Sequence, residues 1–366
     1  MDPVTAVAPG KIIVAGEHAV VYQRPALVAA IDRWLRVTVA PRTEPGVALH
    51  LHDLDHRAVT DAASIRDYAD TVRARWHAYA DDPTPHTVAR MQGDDPAHLV
   101  KVALGEAMRH LGADTAPPMT VTVQSQQPVG GGFGSSAAVA VAVVQAYLAA
   151  RGATVDDDTL YDLALNVERR QHGTPSGVDP ATVLRGGLVW AEGTSDGLTF
   201  ESVTARSPVL DAIRIVDTGT PHESTGTVVD AVRARRASDP AAFEATLDRI
   251  EHATRRLRTV LAAADPKPDA TVQLLREAEA GLEALGVVPE PVQEIVRTVD
   301  DHGGAAKISG AGALSGSNAG SLLVYHPNPD AAAWNAVDSL TNVRATLGAR
   351  GAHVEEGLPS STISSS

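Results

Sequence analysis

Cysteine is missing from all 366 residues, which excludes disulfides, zinc–thiolate sites and a cysteine nucleophile. Aromatic residues make up only 4% of the chain, so its cores have to be built mainly from Ala, Val, Leu and Ile. Lysine occurs only at positions 11, 101, 267 and 307. No apolar run reaches the roughly 20 residues that cross a bilayer; the longest, 137–150, is interrupted by Gln145. The first residues show no charged stretch followed by an apolar one, and Pro9, Gly10 and Lys11 break their apolar character early. A cytoplasmic location is the simplest expectation from these absences.

What is present describes a globular chain, 44% hydrophobic and 21% charged. At roughly 100–200 residues per domain, its length predicts two domains. A formal charge of −14 opposes loose association with nucleic acid or anionic membranes, so neither is expected as a partner. It leaves room for a local pocket, basic or lined by backbone amides, that takes up an anion.

Apolar patterning predicts strands over 4–21, 25–31 and 34–40, the last two as neighbours. Residues 42–95 are polar, rich in His and Asp and weakly patterned, with helix expected near 63–80. A helical period over 97–111 ends at Gly112, and 119–124 alternates as a strand. A Gly-rich loop follows, then helices over 135–151 and 156–171, a loop over 172–180, and a hairpin from 186–191 and 198–203. After a strand at 212–216 come helical runs near 225–236, 240–263, 269–285 and 291–301, then strands at 306–309 and 321–325. The change of character near 190–210 predicts domains over 1–200 and 201–359, with a disordered Ser-rich tail at 360–366.

The most informative segment is Pro128-Val129-Gly130-Gly131-Gly132-Phe133-Gly134-Ser135-Ser136, between a strand and a helix. Its glycines let backbone N–H groups approach a ligand closely. The helix start adds unpaired donors and a positive dipole end, so a phosphate fits there. Ser135 or Ser136 can cap the helix, and a hydroxyl facing the phosphates can ligate Mg²⁺. Taken alone, the segment also reads as a flexible glycine turn with an ordinary serine cap. It is not a P-loop, since Gly10-Lys11 lacks the spaced first glycine, and it is not a dinucleotide fingerprint.

Four further clusters accompany it. Lys11 lies in an apolar strand, where so scarce an amine suggests a buried functional group, although a lone lysine is usually a surface charge. Glu17 and His18 follow Gly16, either as a polar turn or as ligands for polar groups of a substrate. Glu168, near a helix end, and Asp179, in a rigid loop before Pro180, suit one carboxylate on a metal and one near a nucleophile; a surface carboxylate and a turn former fit equally. Gly310-Ala311-Gly312 after a short strand, and Asp217-Thr218-Gly219 with Thr225 at a helix start, fit either ligand contact or plain turn and capping chemistry.

Together and in this order, these segments resemble the GHMP kinase superfamily, and within it most closely the mevalonate kinase family, from Val7 to about Tyr325. Gly16-Glu17-His18-Ala19-Val20-Val21-Tyr22 looks like the family's opening motif, and Gly134-Ser135-Ser136 like the loop shared across the superfamily. The stretch from Glu168-Arg169 through His172-Gly173-Thr174-Pro175-Ser176-Gly177-Val178-Asp179 is the most family-specific. The resemblance implies an α+β two-domain fold: an N-terminal ribosomal-S5-domain-2-like domain with a left-handed βαβ unit, and a ferredoxin-like C-terminal domain, with the substrates between them. It also implies a homodimer that transfers the γ-phosphoryl group of Mg-ATP to a hydroxyl, foremost the 5-hydroxyl of mevalonate to give 5-phosphomevalonate.

Carried over by position, the resemblance makes Asp179 the catalytic base and Lys11 its charge partner. Ser136 and Glu168 would hold Mg²⁺. Gly130, Gly131, Gly132, Phe133, Gly134 and Ser135 would wrap the triphosphate, with Gly310 and Gly312 also at the nucleotide. Glu17, His18 and Thr225 would lie at the acceptor. Such chemistry is coherent: a carboxylate accepts the hydroxyl proton, an ammonium stabilises developing charge, and phosphoryl transfer needs mainly positioning and neutralisation. Three departures from the family pattern concern the acceptor. Gln23 stands where Gly is common, the run Pro221-His222-Glu223-Ser224-Thr225 is unusual, and residues 313–319 intervene before Gly320. Phosphomevalonate kinase, or another sugar or sugar-acid kinase of the superfamily, is the alternative acceptor reading. A ligand-binding homologue without catalysis is the alternative of another class, and the presence of both Lys11 and Asp179 argues against it.

Overall fold

Strand β1 (Val4–Ala15) pairs antiparallel with β2 (Ala26–Pro41), and their ladder is interrupted at Pro9 in this computed structural model, which describes residues 2–82, 94–127, 131–195, 197–265 and 267–355. Ala8 pairs with Leu35 and Gly10 with Ile31, so residues 32–34 of β2 bulge opposite Pro9. Proline has no N–H to give to a ladder, which is why the irregularity falls there. The sequence pattern predicts two neighbouring strands across this region. The structure makes them one 16-residue strand, because the break in alternation marks a bulge and not a turn.

Strands β3 (Val47–Leu51) and β4 (His56–Thr60) form a hairpin within the weakly patterned segment. Only β3 is largely buried; β4 lies at the sheet edge with alternate residues exposed, which leaves little apolar signal to read. β3 runs parallel to β5 (Met119–Ser125), which pairs with β2. With β6 (Leu188–Thr194), β7 (Gly197–Val203) and β12 (His353–Val354), the sheet has eight strands among the described residues, in the path β12-β1-β2-β5-β3-β4, and β6 and β7 extend from β2. The second sheet holds β8 (Arg214–Asp217), β9 (Ala305–Ser309), β10 (Ser321–Tyr325) and β11 (Thr341–Val343) in the antiparallel order β11-β8-β10-β9. β12 returns the chain to β1 of the first sheet.

Helices α1 (Ala62–Asp81), α2 (His98–His110), α3 (Ser135–Ala150) and α4 (Asp157–His172) share one apolar core with β1, β2, β3 and β5. α3 is Ala- and Val-rich and buried on most sides, so its N-terminus is fixed from within the molecule. Later come α5 (Val178–Arg185), α6 (Val209–Ala212), α7 (Thr225–Ser238), α8 (Pro240–Ala262), α9 (Pro268–Ala284) and α10 (Glu290–Asp301). Alternation along β10 sends Leu323 and Tyr325 into the core shared with the first sheet, and Leu322 and Val324 into the core shared with α7 to α10. The two sheets are thus joined by continuous packing. No helix among the described residues is long and apolar enough to cross a membrane. Gly130 and the 360–366 tail lie outside the described residues.

Candidate active site

The site forms where β1 passes beneath the start of α3. The Lys11 N–H donates to the Phe133 carbonyl at 2.8 Å, which ties the Gly-rich loop to β1. Phe133 is buried and anchors that loop in the core. Gly134 has φ 73°, and a Cβ there would stand 2.7 Å from Lys11 Cγ, so only glycine lets the lysine stem pass. From the other side, the Ser321 hydroxyl of β10 donates to the Gly131 carbonyl at 2.6 Å. Both sheets therefore hold the loop.

Gly134 is the N-cap of α3 and offers no side chain to cap it. The sequence reading gave the cap to Ser135 or Ser136. The structure places both inside the helix, because the left-handed turn that admits Lys11 must come first. Among the described residues, the leading N–H groups of α3 are thereby left without a side-chain cap, as an anion-binding helix start requires. Ser136 turns its hydroxyl toward α4, donating to Glu168 Oε2 at 3.2 Å and lying 3.1 Å from His172 Nε2.

Glu168 is buried, and its Oε1 has no hydrogen-bond partner among the described residues. Burial first, and then the nearby Asp179 carboxylate, push its pKa up to about 8, against the opposing effects of Ser136 and Lys11. Lys11 Nζ lies 3.1 Å from Asp179 Oδ1, the lysine almost fully enclosed and the carboxylate one-third open to solvent. Asp179 does not sit in a loop, as the sequence suggested. Gly177, at φ 84°, caps α5 and puts Asp179 in its first turn, where the Pro180 ring is tolerated and an acidic group is favoured.

The other expected site residues divide. Gly16, at φ 97°, has the Pro25 carbonyl where a Cβ would lie, and the turn it makes buries Glu17 against Lys307 of β9 as an ion pair. The Ile308 N–H donates to Glu279 Oε2 at 3.0 Å, and burial pushes Glu279 up to about 8. His18 Nε2 lies 2.9 Å from the Ala311 carbonyl, so the opening motif grips the Gly310-Ala311-Gly312 turn. Gly312 is explained by packing, since a Cβ would meet the Val287 carbonyl at 2.1 Å; Gly310 faces open space at φ 105°. Thr225 is exposed at the start of α7, one residue after the Ser224 cap, and makes no hydrogen bond to the Lys11–Asp179 pair among the described residues. Sequence reasoning missed His172, Glu279 and Lys307. The last carries the same signal that singled out Lys11, a scarce lysine inside an apolar strand.

Two of the departures from the family pattern touch each other. Glu223, in the unusual Pro221–Thr225 run, accepts the Leu314 N–H at 3.2 Å and the Ser315 hydroxyl at 2.5 Å. The longer loop and the altered run are thus one joined feature.

Residues 98–187 match the model of the GHMP kinases N terminal domain. The mevalonate kinase of Thermococcus sibiricus is 32% identical over 314 residues, covering 84% of this chain and 86% of that protein. The solved structure of the Methanococcus jannaschii mevalonate kinase matches with a TM-score of 0.75 at 18% identity, covering 94% of this chain and 98% of that one. A structure of Streptococcus pneumoniae phosphomevalonate kinase in complex with phosphomevalonate and AMPPNP matches with a TM-score of 0.67 at 16% identity, over 95% and 100% of the two chains. This chain belongs to the mevalonate kinase family of the GHMP kinases and is an ATP-dependent phosphotransferase acting on an alcohol.

Proposed function

We propose that this enzyme transfers the γ-phosphoryl group of Mg-ATP to the 5-hydroxyl of mevalonate, with Asp179 as base and Lys11 as its charge partner. The observation that carries this reading is the 3.1 Å Lys11–Asp179 pair beside the uncapped start of α3. A base and a fixed cation adjoin an anion cradle, and binding alone needs neither.

The triphosphate lies along the N–H groups that open α3. As the acceptor oxygen attacks the γ-phosphorus, its proton passes to the Asp179 carboxylate. The bond to the β,γ-bridging oxygen breaks and ADP leaves. The Lys11 ammonium holds the Asp179 carboxylate in place by ion pairing and stabilises charge on the attacking oxygen and the transferring group.

Ser136 and Glu168 would hold Mg²⁺, and the partnerless Glu168 Oε1 fits a cation ligand. Among the described residues no three His, Asp or Glu side chains form a metal cage, so phosphate oxygens would complete the shell, as is usual for this ion. When bound, Mg²⁺ supplies charge neutralisation on the phosphate oxygens. Glu17, buried on Lys307, and His18, against Ala311, act as positioning residues at the acceptor side.

The family name of the sequence relatives favours mevalonate, and the match to a phosphomevalonate kinase structure keeps phosphomevalonate as the competing acceptor. An ADP-release assay over mevalonate, phosphomevalonate, homoserine and galactose tests the assignment. The highest kcat/KM is expected with mevalonate. A preference for any other acceptor overturns the substrate.

A further inference from the structure

On the outer side of α4, away from Ser136, helices α1, α2 and α4 line an open-sided cavity of about 490 Å³ that the kinase chemistry does not use. Arg73, Arg109, Arg169 and Arg170 line it, with Glu106 as the only carboxylate among the described residues of the lining. So dense a positive cluster stands out in a chain with a formal charge of −14.

These guanidinium groups are only partly matched. Arg73 makes no hydrogen bond or ion pair among the described residues, and Arg169 bonds only to the Asn166 side chain. Arg109 pairs with Asp70 and Glu106. Arg170 is 4% exposed, donates to the Asn166 carbonyl and lies 3.3 Å from Glu106, yet its Nε has no hydrogen-bond partner among the described residues. Burial disfavours its charge, Glu106 opposes that effect, and the like charges of Arg73, Arg109 and Arg169 add to it. An anion in the cavity would relieve this repulsion and satisfy the free donors, and guanidinium forks match phosphate oxygens in pairs. Trp76 and Leu163 give the cavity an apolar wall.

The same elements hold the catalytic turn. The Trp76 indole N–H donates to the Gly173 carbonyl at 2.9 Å, and the Tyr79 ring fills the space where a Gly173 side chain would lie, at 2.5 Å. Arg169 and Arg170 directly follow Glu168, and His172 closes the helix beside Ser136.

We propose that this cavity is a regulatory site for a small organic phosphate, its dianionic head on the arginines and its body against Trp76 and Leu163. The site does not depend on which acceptor the enzyme phosphorylates. Occupancy would tighten α1 against α4 and so fix the turn between Glu168 and Asp179.

Calorimetry on the full chain, with the nucleotide site filled by Mg-AMPPNP, separates this site from the cradle at α3. Phenyl phosphate and inorganic phosphate serve as probes. Phenyl phosphate should bind with a stoichiometry near one, more tightly than inorganic phosphate, and about tenfold more weakly in both R73A and R169A. Equal affinity of the two probes would assign the site to free phosphate and overturn the organic ligand. No binding beside the nucleotide, or unchanged binding in variants whose thermal unfolding matches the parent, overturns the site. At saturating ATP, phenyl phosphate should change kcat or the acceptor KM at least twofold in the parent and leave R73A unmoved; an unmoved parent overturns the regulatory role.

Discussion

Lys11 and Asp179 meet at 3.1 Å although one lies in the first strand and the other in the first turn of α5. The contact depends on glycine at both ends. Gly134 clears the path of the lysine stem, and Gly177 turns the chain into α5. Replacing Asp179 with Asn keeps the shape and removes the base. D179N is expected to lower kcat by roughly 10²–10⁴, with nucleotide affinity by calorimetry changed less than about threefold, since no hydrogen bond among the described residues joins Asp179 to the start of α3. Near-parental turnover would remove Asp179 from the mechanism.

Glu168 predicts a pH dependence of metal use. Its pKa of about 8 in the free chain means that the carboxyl is protonated at neutral pH and that a cation must displace the proton. The Mg²⁺ concentration giving half-maximal rate should therefore fall as pH rises toward 8, by up to about tenfold per unit, and level off above. E168Q should lose that slope. A flat profile in the parent would detach Glu168 from the metal.

The buried Glu17–Lys307–Glu279 group carries two carboxylates and one ammonium, and Glu17 Oε2 and Glu279 Oε1 have no hydrogen-bond partners among the described residues. With Glu17 paired to Lys307, a proton on Glu279 neutralises the remainder, in keeping with a pKa raised to about 8. A carboxyl raised in this way binds its proton more tightly when folded, so it withdraws stability as pH climbs from about 4.5 to about 8. E279Q keeps the carbonyl acceptor for the Ile308 N–H and cannot ionise. Its Tm should exceed the parent's at pH 8.5 by on the order of 2–4 °C, with the gain shrinking toward pH 5. An equal shift at both pH values would argue against the protonated state.

Gln23 stands at φ 65°, in left-handed backbone that costs an L-residue about 1–2 kcal/mol. The family's commoner glycine removes that cost and adds some unfolded-state entropy. Q23G is expected to raise stability by about 0.5–1 kcal/mol in denaturant titrations, with kcat unchanged. A destabilised variant would show that the side chain contributes more than its backbone costs.

Much of the first sheet's architecture was legible because its elements carry strong periods. Met119–Ser125 alternates cleanly, and the small apolar residues of Ser135–Ala150 permit a helix that is buried on most sides. The hairpin of β3 and β4 was not legible, since an edge strand with alternate exposed residues looks like a polar loop. The bulge at 32–34 was hidden for a related reason: a local break in alternation reads the same whether the chain turns or only kinks. Glu17 was visible as part of a motif, but its partner Lys307 belongs to a strand of the other sheet, and no local pattern encodes that meeting.

The sequence by itself determined the chemistry available here: a glycine-rich helix start for phosphate, a scarce lysine, a serine and two carboxylates, in an order that resembles one kinase family. Residue types and local spacing set hydrogen-bonding capacity and charge, so that much can be read along the chain. Only the tertiary structure decided which groups act on one another. It put Lys11 on Asp179, turned Ser136 from a cap into a partner of Glu168, buried Glu17 on Lys307, and joined Glu223 to the loop after Gly312. Those outcomes depend on burial and on distances between remote segments, which arise only when the two sheets pack.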